Sequence, residues 1–177
     1  VVHDAPMPSI AQIAVCEDGA VSPCQAGGDR RCGAGQPGYT EIHARIEMPD
    51  LLVGSAPFED YGGKASYRRS RAQLDGQETV CVSMAVPKGM PPSGGWPTAV
   101  FAHDMGGHFR TGIVSGLADA VTDAGWALLS YDGVLHGPRF GLGSQPTLAQ
   151  LSSRLMDITR PALLRDQSQQ GAADLHA

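Results

Sequence analysis

The sequence predicts an α/β fold, and three observations carry that expectation. Between Thr98 and Tyr131 a short apolar run, a glycine turn, a helical pattern and a second apolar run follow one another. Two earlier stretches, residues 41–48 and 79–86, place apolar residues at every second position, as strands do. Residues 1–40 show neither period, and they carry three of the four cysteines.

Taken in order, residues 1–40 hold six glycines and four prolines and read as an irregular segment draped on the surface. The chain changes character at residue 41, so the division expected is 1–40, irregular and Cys-rich, and 41–177, the folded domain. Cys16, Cys24 and Cys32 stand eight apart, and Cys81 is the fourth. The segment has little apolar content with which to pack itself, so cross-links would help hold it. Two disulfides are expected among the four, and sequence leaves all three pairings open. No Cys-x-x-Cys occurs, and His3 and His43 lack ligand spacing, so no metal is expected. Disulfides place the protein in an oxidising compartment: secreted, periplasmic or at the cell surface.

In residues 41–48, Ile42, Ala44, Ile46 and Met48 alternate with Glu41, His43, Arg45 and Glu47. This is a strand with one wet face, which would carry His43, and Pro49 stops it. Residues 51–63 read as a loop and 67–78 as a polar connection. In residues 79–86, Val80, Val82, Met84 and Val86 share one face and Cys81 lies on the other. The two strands are expected to pair antiparallel. A proline-glycine connection then leads to a buried parallel strand at 98–102. Thr111 caps a helix whose buried face is Ile113, Val114, Leu117, Ala118 and Val121, and Gly125 ends it. The strand of residues 126–131 completes a βαβ unit, whose crossover should be right-handed. Asp132 makes the turn that follows. After a glycine-rich loop to Pro146 come a short helix at 148–155, a break at Pro161 and a last helix from Leu163 to Leu175. A sheet that ended at residues 127–131 would leave that strand's far edge unpaired.

The net charge of −5 excludes the basic footprint that nucleic acid requires. Arg68, Arg69 and Arg71 form a solvated loop cluster. No run of 18 apolar residues is present, so no transmembrane segment is expected. The chain does not begin with Met, which fits a processed product.

The run from His103 to Arg139 resembles the α/β-hydrolase family, where its third strand passes through the oxyanion loop into its first helix and fourth strand. The residues are His103-Asp104-Met105-Gly106-Gly107, Ala124-Gly125 and His136-Gly137-Pro138-Arg139. Residues 80–89 with Gly95-Trp96-Pro97 are similar to the preceding strand and loop. Arg165-Asp166-Gln167, Gln170 and Asp174-Leu175 are similar to the helix that leads to the nucleophile strand in secreted bacterial esterases and lipases.

The resemblance implies an antiparallel entry to the sheet, then a parallel βαβ unit, and a serine ester hydrolase acting on small-molecule or lipid esters. It makes the Met105 backbone N–H an oxyanion donor and gives His136 a role in supporting its loop. Asp104 stands where glycine is usual. No Gly-x-Ser-x-Gly turn occurs, so the triad is expected outside this chain, in the C-terminal remainder or in a second chain from a cleaved precursor. This chain alone would be inactive, and no cofactor is implied. A second resemblance makes Asp104 the nucleophile of an aspartate-type hydrolase of the dehalogenase or epoxide-hydrolase kind. A third reading is a non-catalytic binding or structural protein on the same fold.

Overall fold

The computed structural model of the chain describes residues 7–17, 19–24, 28–58, 62–69, 71–141 and 146–176. Residues 1–6 of the irregular segment and 142–145 of the expected glycine-rich loop lie outside these. The fold is mixed α/β. Five strands form one sheet: β1 (Ser9–Cys16), β2 (Tyr39–Asp50), β7 (Gly76–Pro87), β8 (Thr98–Phe101) and β9 (Ala127–Tyr131), in the order β1-β2-β7-β9-β8. The sheet is mostly antiparallel with one parallel pair. β7 runs antiparallel to β9, with Val82 opposite Tyr131, and β8 runs parallel to β9, with Thr98 opposite Ala127.

The chain divides into two compact units. One comprises residues 10–45 and 81–132, and the other comprises 1–9, 46–80 and 133–177. Strands β2 and β7 each contribute residues to both units. The expected boundary between residues 40 and 41 falls inside β2.

In the unit of residues 10–45 and 81–132 the core is Tyr39, Ala85, Ile113, Ala118 and Leu128, flanked by Phe101, Leu117 and Val121. A fully buried isoleucine or leucine, as at Ile113 and Leu128, stabilises the fold by about 1.5–3 kcal/mol. The helix expected as one piece is two, α1 (Thr111–Val114) and α2 (Leu117–Asp123). Gly116 separates them with φ +79°, a left-handed backbone that glycine adopts without Cβ strain. The break turns Val114 outward. It is 50% exposed, against 7% for Ile113, so Val114 leaves the predicted core.

Two strand expectations are corrected. The second face of β2 is covered by the segments that carry Ser22, Phe109 and Arg110, so Glu41 and His43 are buried, not wet. The supposed edge strand β9 lies between β7 and β8, which leaves β8 as the edge and Val100 about half exposed. The supposedly irregular N-terminal segment supplies β1. The expected disulfides are present, Cys16–Cys32 and Cys24–Cys81.

The other unit is built around two apolar clusters. Leu52, Phe58, Leu135, Phe140 and Leu151 form one, and Leu51, Ala65 and Ala173 the other. The stretch that reads as loop and polar connection carries two small ribbons, β3 (Leu52–Val53) with β4 (Lys64–Ala65) and β5 (Tyr67–Arg68) with β6 (Arg71–Ala72). Helix α3 (Leu148–Leu155) starts in a capping box between Thr147 and Gln150. Helix α4 (Pro161–Asp174) begins at the proline expected to break the chain, because a first-turn proline lacks only an N–H that the helix does not use.

Candidate functional site

The loop of residues 103–107 leaves the carboxyl end of β8, where ligands bind in α/β sheets. Its turn is closed by the Gly107 N–H donating to the Asp104 carbonyl at 3.0 Å, and Gly106 takes φ +94°. The His103 ring contacts the Asp104 carbonyl through Nδ1 at 2.8 Å. It also packs so closely on Gly107 that a Cβ there would sit 2.7 Å from the His103 Cβ, so this position must be glycine. Asp104 and Met105 are exposed. The Met105 N–H donates to no group among the described residues. Asp104 does not carry the left-handed strain of a nucleophile elbow; that backbone belongs to Gly106.

The loop is anchored on its far side. Phe109 is fully buried against the Cys24–Cys81 bridge. Its N–H donates to Asp132 Oδ1 at 2.9 Å, and its carbonyl accepts from Ser83 Oγ at 2.6 Å. The Arg30 guanidinium stacks over the Phe109 ring at 4.7 Å. His108 is half-buried, and burial first, then the Arg30 guanidinium, hold its imidazole below the usual value. It is therefore neutral at pH 7.

The same unit contains a set that sequence reading missed. His43 meets Ser22 Oγ through Nδ1 at 2.9 Å and Glu41 Oε1 through Nε2 at 2.6 Å. The types are those of a serine, base and acid triad. Its surroundings are those of a structural lock. His43 is wholly buried and edge-on to Phe109, and Ser22 is 5% exposed and accepts the Cys24 N–H. All three side chains are buried from solvent. Arg110 clamps Glu41 through Nε and Nη2 and bonds the Asp29 carbonyl at 3.0 Å. Burial alone would raise Glu41, but the His43 hydrogen bond and the Arg110 guanidinium outweigh it and hold the carboxyl below its usual range. Cys16, Cys32 and His43 lie close enough to hold a metal, but both sulfurs are spent in a disulfide.

His136 belongs to the other unit. It is buried, its Nδ1 meets the Val134 carbonyl at 2.8 Å, and its own carbonyl accepts the Arg139 N–H at 3.1 Å. Beside it in sequence, Arg139 is buried between Asp174, at 2.7 Å, and Glu78. Helix α4 buries a polar face. Asp166 accepts from the Ala65 N–H at 3.0 Å and from the Tyr67 hydroxyl at 2.9 Å. Gln170 accepts from the Leu51 N–H at 2.7 Å and donates to the Pro49 carbonyl at 3.0 Å. Polar residues in a helical pattern ordinarily read as a wet face, so this role was not visible beforehand. Gln167 is 3% exposed with neither amide atom paired.

Comparison of the chain with protein-family profiles, with curated proteins and with solved structures finds no match.

Proposed function

We propose that this chain contributes the oxyanion loop of a secreted serine ester hydrolase whose nucleophile, acid and histidine lie in further polypeptide. The observation that carries the reading is the turn at Asp104–Gly107, exposed at Asp104 to Gly106, at the carboxyl end of an edge strand in a parallel pair, with the Met105 N–H donating to no group among the described residues. An ester's tetrahedral intermediate places charge on one oxygen, and a fixed backbone donor stabilises it. The open edge of β8 can accept the next strand. Two disulfides, and no described helix long and apolar enough to cross a membrane, are compatible with an extracytoplasmic site of action.

The test is a fluorophosphonate probe applied to the natural polypeptide that contains this chain, followed by peptide mapping. An adduct on a serine outside residues 1–177 is expected. An adduct on Ser22 would move the nucleophile into this chain and overturn the placement. A folded protein that takes no label overturns the serine reading. A trapped ester on Asp104 would then identify the aspartate mechanism, and no covalent adduct of either kind would leave a binding or structural protein.

A further inference from the structure

The unit of residues 46–80 and 133–177 holds a cleft of about 420 Å³, within the range of small-molecule sites. Its lining includes the apolar side chains of Leu52, Ala56, Phe58, Val134 and Leu135. Asp50, Glu78, Thr79 and Arg139 line it as well. Phe58 and Leu135 are bulky residues with φ +57° and +60°. Left-handed backbone at such residues is rare and collects at ligand clamps.

The charges in this cleft do not balance. Arg139 is the cation among the lining residues, and its guanidinium is divided between Glu78 and Asp174. Asp50 stands close enough to feel Arg139 and Asp174, Glu78 feels Asp50 in turn, and the Asp50 Oδ1 accepts the Leu52 N–H at 2.8 Å. Three carboxylates therefore face one guanidinium. Burial raises both Asp50 and Glu78, and Arg139 only partly offsets it. Uncompensated negative charge in a half-buried site is relieved by a proton or by a bound cation.

We propose that this cleft binds a small organic cation, an amine or guanidine, whose charge sits against Asp50 and Glu78 and whose apolar body lies on Phe58, Val134 and Leu135. The apolar part of the lining favours an organic ion over a metal, since Ca²⁺ takes six to eight oxygen ligands. A primary ammonium has three donors, which the two carboxylates and the Thr79 hydroxyl can receive.

Titration calorimetry on the disulfide-bonded protein at pH 7 tests this with benzylamine as probe. Benzyl alcohol, benzoate and Ca²⁺ serve as comparators. Benzylamine should bind, with benzyl alcohol about tenfold or more weaker and benzoate silent. Glu78→Gln should weaken benzylamine by about tenfold. Because Glu78 also holds Arg139, Asp50→Asn is the second variant; its amide oxygen can still accept the Leu52 N–H, and it too should lose affinity. Equal binding of amine and alcohol overturns the proposal, as does wild-type affinity in both variants. Tighter binding of benzoate would assign the site to Arg139, and binding of Ca²⁺ in place of benzylamine would make it a metal site; either result sinks the organic cation.

Discussion

Arg30 and Asp132 form a two-pronged ion pair, Nη1 to Oδ1 at 2.8 Å and Nη2 to Oδ2 at 2.6 Å, with both residues buried. The pair joins an N-terminal segment with little apolar content of its own to the end of β9. Asp132 also takes the Phe109 N–H, and its own N–H donates to the Cys81 carbonyl at 2.9 Å.

Asp132→Ala should therefore be far worse than loss of a turn residue. It strands the Arg30 charge inside the protein, and breaking one side of a buried pair costs about 3–5 kcal/mol. Urea unfolding of the oxidised protein measures it. A change under about 0.5 kcal/mol, the usual size for a surface substitution, would mean that the pair is solvated.

The Glu41 network should give the protein an acid-labile element. The carboxyl is held below its unfolded value, so its contribution is full above the ordinary carboxylate range and disappears as pH falls through the folded value. Glu78 and Asp50 are raised and act with the opposite sign: their contribution is present at low pH and is lost as pH rises. Stability followed from pH 7 to pH 3 should fall less steeply in Glu41→Gln than in the parent. An identical slope would exclude Glu41 as a source of the acid lability.

Around the Gly116 break, Ile113→Ala should cost about 2–5 kcal/mol as a core deletion, and Val114→Ala should stay within about 0.5 kcal/mol. Thermal melts of the two variants decide between the broken helix and a continuous one, in which both positions would matter.

Gln167→Met should be neutral or stabilising. An unpaired buried amide costs about 1–3 kcal/mol, and Met replaces it at similar length with nothing to satisfy. Clear destabilisation would show that the amide has a partner, such as an internal water.

What the sequence made legible is the part governed by local period. The strands at 41–48 and 79–86, the parallel pair at either side of Thr111, the short helix at 148–155 and the two disulfides all rest on spacing or composition. Strand order was not legible, because alternation says which residues share a face and not whether a second layer covers the other. Glu41 and His43 looked wet for that reason. Val114 failed because Gly116 turns the helix, and helical spacing assumes that no residue does. The buried polar face of α4 was hidden by the general rule that amides and carboxylates face water; backbone groups at Pro49, Leu51 and Ala65 override it. In the candidate loop, the turn and its glycines were readable, but the serine and histidine set at Ser22 and His43 joins residues 21 positions apart and showed no motif.

The cystine pattern also bears on how the protein is made. Chains emerge from the N-terminus at about 5–20 residues per second, so Cys81 follows Cys24 by several seconds, 57 residues later. During that interval Cys24 is flanked by Cys16 and Cys32, each eight residues away and each a wrong partner. Oxidation in order of emergence would join Cys16 to Cys24 and leave Cys32 stranded. Maturation of this protein therefore requires either delayed oxidation or a thiol–disulfide isomerase to reshuffle the first pairing, and its yield in a host should track isomerase supply more closely than chaperone supply.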